Sequence, residues 1–181
     1  MPQIIELTSR SGLDYLHGLV ERAADLRALR REIGEDLAES TKQRFASATA
    51  PDGTAWAPNS AVTLARYSAR FARKKDGDLT KRSAAKLASK KPGTGETRAL
   101  STTINYQLQG EDAVSIGSPM VNAGTFQYGA KSGEYGFGLY RTRQGSFPLP
   151  WGDIPARPFL GASADDTANI VRQVRSYLMG E

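Results

Sequence analysis

The sequence predicts an α+β protein, with N-terminal helices and a C-terminal helix packed on a small antiparallel sheet. Two observations carry this. Apolar residues recur at helical spacing from Leu13 onward, and from Leu100 the period shortens to two. A helical pattern then returns after Ser163, at the end of the chain.

The elements follow in order. Ile4, Ile5 and Leu7 mark a short strand. Leu13, Leu16, Val20 and Ala24 form one helical stripe; Leu26, Leu29, Ile33, Leu37, Thr41 and Phe45 form a second. Asp25, a residue type that caps helix starts, marks the break between them. Pro51-Asp52-Gly53 is a turn, because Pro presets φ and Gly accepts a positive φ. Asn59 or Ser60 caps a further helix carrying Leu64, Tyr67 and Phe71. The stretch through Ala84, Ala85, Leu87 and Ala88 is weakly helical without a strong apolar face, and Lys91-Pro92-Gly93 ends it.

Leu100, Thr102, Ile104, Tyr106 and Leu108 then alternate with polar residues. Gly110-Glu111-Asp112 turns the chain, and Val114 and Ile116 continue the alternation, which predicts an antiparallel hairpin. Residues 120–128 are ambiguous, with a helical turn as one reading. Ser163 caps the last helix, with Asp165 and Asp166 suiting the dipole of its first turn. Thr167, Val171, Val174 and Leu178 make its apolar face, and Gly180 terminates it.

Two segments stand apart within one 181-residue domain. The first is a basic insertion at about 72–92. From Arg66 to Lys91 ten lysines and arginines face only Asp76 and Asp78, a net of +8 in a chain whose total is +5. Such a block draws nucleic acid, acidic protein surface or solvent counterions. The second is an extended loop or long hairpin at about 130–153, where glycines alternate with Tyr135, Phe137, Tyr140, Phe147 and Trp151 around Arg141 and Arg143. A domain this small cannot turn all of these aromatics inward, which predicts contact with a neighbour; the alternative is a satellite cluster beneath a surface loop.

Composition excludes several function classes. There is no cysteine, so disulfides and thiolate metal sites are absent. The single histidine, His17, rules out a His-pair metal site. Gly93-Thr94-Gly95-Glu96-Thr97 lacks the lysine of a phosphate loop, and no G-x-S-x-G elbow occurs. Asp165 and Asp166 are adjacent on a helix and point apart, a poor acid–base pair. No apolar run approaches the roughly 18 residues of a membrane span, and the start lacks the pattern of a signal peptide. The expectation is a non-enzyme without cofactor, metal or membrane, folding in a cytoplasm. A basic nucleic-acid-binding protein is the alternative.

Four strings carry a resemblance to a known family. They are Arg44-Phe45 followed by Pro51-Asp52-Gly53-Thr54-Ala55-Trp56-Ala57-Pro58; the looser Thr94-Gly95-Glu96-Thr97-Arg98-Ala99-Leu100; Val114-Ser115-Ile116-Gly117; and Ile154-Pro155-Ala156-Arg157-Pro158-Phe159-Leu160-Gly161. Their order resembles the phage virion morphogenesis family, which includes tail-completion proteins of Mu-like phages. Asn122 to Gly129 is similar to a family pattern ending His-Gln-Phe-Gly, with Phe126 where relatives carry His. The resemblance implies a structural virion protein at the head–tail junction, completing or terminating the tail and allowing head–tail joining. It implies a homo-oligomeric ring, by default of six copies to match the symmetry of tails. Its neighbours would be the tail tube or terminator and the head-closure or connector proteins, with packaged DNA close by.

Arg141, Arg143, Trp151, Arg157, Lys74 and Lys75 are the candidate partner-binding residues. Arg157 has a second reading, in which its five donors tie the chain to its own domain. Pro155 and Pro158 hold their string extended, and Phe159 is expected to be a buried anchor fixing the C-terminal helix to the sheet.

Overall fold

The computed structural model describes residues 10–69, 71–95, 97–134, 139–142, 145–148 and 153–180; at 10, 11, 139–142 and 145–148 it describes the backbone alone. The strand expected at Ile4–Leu7 lies outside these residues.

Helix α1 spans Arg10–Ala24 and α2 spans Arg27–Ser47. The break falls at Asp25, whose Oδ1 accepts the Arg27 N–H at 3.0 Å. The stripe on α1 is not a core face: Leu13 is 48% exposed, Leu16 55% and Val20 67%. Instead α1 leans on the end of the C-terminal helix, with Arg22 Nε donating to the Leu178 carbonyl at 2.8 Å.

Helix α2 is the spine. Leu29, Gly34, Ala38, Thr41, Arg44 and Phe45 are buried along it, on more than the single stripe its sequence suggests. It ends at Ala48, whose φ of 60° lies in the left-handed region. The next residues fold back tightly. Gly53 takes φ +84°, the Asp52 carboxylate accepts the Thr54 N–H, and the Trp56 N–H returns to the Ala48 carbonyl. This turn lays Trp56 across Phe45, ring centroids 5.1 Å apart.

Helices α3 (Ala61–Ser68) and α4 (Lys81–Ala88) form an arm. Ser60 caps α3 and Thr80 caps α4 through their side-chain oxygens. The two pack on each other; an edge-on Tyr67–Phe71 pair at 4.8 Å folds the chain back at the end of α3, and Ser83 Oγ of α4 donates to the Ala72 carbonyl of the connecting segment.

A short helix α5 (Ala99–Thr102) precedes β1 (Asn105–Gln109) and β2 (Ala113–Gly117). The predicted hairpin is present, with Tyr106 opposite Ile116 and Leu108 opposite Val114. The strand begins later than the alternation suggests. Leu100 and Ile104 are both buried, four positions apart across a short helix and turn, a spacing that keeps them on one side. Tyr106 lies flat on α2 at Gly34, where an added Cβ would sit 2.4 Å from its ring.

Helix α6 (Ala123–Tyr128) bears out the helical reading of that stretch. Strands β3 (Leu139–Thr142) and β4 (Gly145–Pro148) pair antiparallel, and Ala130 and Ile154 close the base by two mutual backbone bonds. The described parts of the 130–154 segment are thus an antiparallel β3–β4 pair and a bridge at its base. Helix α7 (Ala164–Met179) completes the chain. Ser163 caps it in a capping box with Asp166, and Gly180 ends it at φ 74°.

The α+β class holds, but the layering differs from expectation. The β1–β2 hairpin packs on one side of α2 and α7 on another, so α7 reaches the sheet through the spine. It runs antiparallel to α2, with Asp166 at Arg44, Gln173 at Asp36 and Tyr177 at Asp25. Its less exposed positions include Asp166, Ile170, Gln173 and Tyr177 together with Val174 and Leu178 of the expected face. Thr167 and Val171, expected on the packed face, are exposed, Val171 by 63%.

Candidate functional site

Three sequence-distant motifs meet in one place. The segment Pro155–Gly161 crosses the end of α2 as an extended strap. An extended strap has no partner strand, so its backbone polar groups need side chains. Gln127 on α6 accepts both the Phe159 and Leu160 N–H groups at 2.9 Å and returns a bond to the Leu160 carbonyl at 3.2 Å. Trp56 Nε1 donates to the Pro158 carbonyl at 2.8 Å. Arg44 Nη1 donates to the Phe159 and Gly161 carbonyls, both at 2.7 Å. The Arg157 N–H goes to the Phe126 carbonyl at 2.8 Å.

Beneath the strap lies an aromatic cluster. Phe159 is fully buried, as expected, with its ring 5.3 Å from Phe45 and 6.0 Å from Phe126. Phe45 and Phe126 stack at 5.6 Å. Two glycines permit the approach. A Cβ on Gly129 would meet the Ile154 carbonyl at 2.7 Å, and one on Gly93 would meet Phe126 at 2.6 Å; both have positive φ.

Arg157 serves its own chain. Its Nε donates to the Ala57 carbonyl and its Nη2 to the Pro58 carbonyl, at 2.7 and 2.8 Å. Its guanidinium lies 5.7 Å from the centre of the Phe126 ring. Burial pushes this guanidinium below its usual value. Phe126 thus offers an aromatic face to a cation.

The end of the strap is fastened by an ion pair. Arg44 Nη2 bonds Asp166 Oδ2, and both side chains are under a tenth exposed. The same carboxylate oxygen accepts the Ser163 N–H at 2.8 Å, so one Asp caps α7 and neutralises the arginine of α2. Burial works to raise the Asp166 pKa, but hydrogen bonds from Ser40 and Ser163 and the Arg44 charge outweigh it and leave it lowered. The string therefore fixes α7 to α2, where the sequence suggested the sheet.

The candidate partner residues do not gather in one site. Arg157 is in the strap. Lys74 and Lys75 are exposed in the turn between α3 and α4, which closes by Lys74 N–H to Asp78 carbonyl and Gly77 N–H to Lys74 carbonyl bonds. Arg141 is a β3 residue opposite Ser146; Arg143 and Trp151 lie outside the described residues. Arg44, Gln127 and Asp166 were missed as members of the strap site. Arg44 and Gln127 do lie in strings that carry the resemblance, but nothing local says a strap crosses them.

Among the described residues, no three His, Cys, Asp or Glu side chains gather to hold a metal ion, and no helix is long and apolar enough to cross a membrane. In the strap, Arg44, Trp56, Gln127, Arg157 and Asp166 each hold backbone or an opposite charge, so this site defines a scaffold: a subunit whose residues lock its own helices together. The chain belongs to the phage virion morphogenesis family, whose model matches residues 10–179. It is a bacteriophage morphogenesis protein associated with the virion. No curated protein and no solved structure was found to match it.

Proposed function

We propose that the subunit is structural and works at the phage head–tail junction, completing or terminating the tail so that heads can join it. It would act as a homo-oligomeric ring, with six copies as the default. The observation that carries this is the convergence of the family-like strings on a locked spine. A packed spine of this kind leaves two segments, the basic α3–α4 arm and the 130–154 stretch that starts and ends at the Ala130–Ile154 bridge, to reach neighbouring copies, the tail tube or terminator, and the head-closure or connector proteins. Arg141, Arg143 and Trp151 from the 130–153 stretch of the sequence, and Lys74 and Lys75 on the arm, are the proposed contacts.

The test is complementation. A phage lacking the chain should accumulate filled heads and tails unjoined, and purified full-length chain should restore infectious particles in the lysate. Normal particle yield without the chain would refute the reading. The +8 segment favours a second reading, direct DNA binding. That reading expects affinity falling steeply with salt and no defined stoichiometry.

A further inference from the structure

The two sides of α2 carry opposite charge. A cleft of about 370 Å³ lies between α2 and α7, lined by Asp36, Glu39, Asp165 and Asp166, with no lysine or arginine among its described lining residues. Arg44 neutralises Asp166, but Asp36, Glu39 and Asp165 are exposed. At its floor Gln173 gives its amide protons to Asp36 at 2.6 Å and Glu32 at 3.5 Å, while its Oε1 finds no donor. The Glu39–Lys42 pair, 3.8 Å apart with both side chains well exposed, does little to offset this charge. The cleft thus carries a net negative charge that no described lining lysine or arginine offsets, and an amide oxygen without a donor.

The arm is the converse. Lys74, Lys75, Lys81 and Arg82 are exposed on it, and lysine and arginine side chains only donate. In its own subunit the arm lies elsewhere on α2. A cleft of about 850 Å³ separates it from Lys42 and Ala46, and Lys91 Nζ bonds the Ala46 carbonyl. Asp36, Ser40 and Gln43 share a different face of the helix.

We propose that the α3–α4 arm of one subunit docks into the α2–α7 cleft of a second copy. This rests on the reading of the chain as a multi-copy virion component, and names the surfaces that join the copies. Two different patches pairing head to tail add copies in one direction and close into a ring when the rotation permits. DNA would meet the arm but be repelled by the carboxylates of the cleft, whereas a second copy uses both surfaces.

The experiment measures the mass of the full chain by light scattering across salt and charge variants. Wild-type chain forms a defined oligomer at about 50 mM salt, and its association weakens on the order of tenfold by about 500 mM. An arm variant, Lys74→Glu/Lys75→Glu/Arg82→Glu, and a cleft variant, Asp36→Lys/Glu39→Lys, each stay monomeric with wild-type circular dichroism. Mixed in equal amounts they regain the oligomer, because the reversed arm now fits the reversed cleft and the native arm of one fits the native cleft of the other. If either reversal disturbs the fold, Lys74→Gln/Lys75→Gln and Asp36→Asn replace it, each weakening association several-fold. A folded variant that keeps the wild-type mass overturns the arm–cleft pairing alone. If the arm variant keeps that mass and loses salt-sensitive affinity for a random-sequence duplex, the arm is a DNA contact and the pairing is overturned. A wild-type chain monomeric at every concentration and salt level, including when mixed with tails, overturns the multi-copy reading itself.

Discussion

Replacing Arg44 with Met tests whether the strap is held as described. Met keeps the aliphatic stem and a good helix propensity, so α2 should persist. The guanidinium goes, and with it the partner of the buried Asp166 and the donor to two strap carbonyls. Breaking a buried ion pair from one side costs about 3–5 kcal/mol. Two carbonyls without their donor add roughly 1 kcal/mol each when solvent partly replaces it. About 5 kcal/mol is the expected loss, against a total stability of roughly 5–15 kcal/mol. For a chain of this size that lowers the melting temperature by about 10–20 °C. Urea and thermal unfolding followed by circular dichroism read it directly. Arg44→Lys, which keeps the charge but not the forked geometry, should fall between the two. Asp166→Asn should also destabilise, and the double variant Arg44→Met/Asp166→Asn should cost less than the sum by roughly 1–3 kcal/mol. Strict additivity, or an Arg44→Met variant melting within about 2 °C of the parent, would refute the ion-pair latch.

Arg157→Ala removes the donors to Ala57 and Pro58, and should cost about 2–3 kcal/mol, with any assembly defect tracking the loss of stability. A stable Arg157→Ala subunit that leaves filled heads and tails unjoined would instead show that this arginine meets a partner. Gly34→Ala places a methyl against the Tyr106 ring, and should destabilise by roughly 1–3 kcal/mol in urea; Tyr106→Leu in the same chain should recover part of it. Acid should weaken the latch in a defined direction. The folded Asp166 pKa is lowered, so its stabilisation is present above the unfolded aspartate value of about 3.9 and is lost as pH falls through and below it. Melting temperature from pH 6 down to about pH 2 should fall more steeply for wild type than for Asp166→Asn.

Local signals were legible in the sequence. Ser60 and Ser163 cap helices because a short hydroxyl reaches a backbone N–H two or three residues on, and Gly180 ends one because it tolerates a positive φ. The break at Asp25, the turn at Pro51-Asp52-Gly53 and the 105–117 hairpin are likewise written within a few residues of where they occur. The burial of Phe159 was readable because a large aromatic at the end of a proline-stiffened string has little use in solvent.

What the tertiary structure decided was which faces are covered. Leu13, Leu16 and Val20 form as regular a stripe as those of α2, yet lie open, because periodicity shows that a face exists and not that anything covers it. Helix α2 is covered on two sides, so Gly34, Ala38 and Arg44 are buried in addition to the predicted stripe. Leu100 and Ile104 looked like alternating strand residues, and they reach the core from a short helix and turn instead. The strap depends on Arg44, Trp56, Gln127 and Arg157, which are far apart in sequence. Such polar side chains read as surface or caps until the fold lays an unpaired backbone across them. An extended segment has no pattern of its own that names its hydrogen-bond partners; only the packing of α2, α6 and α7 around it supplies them.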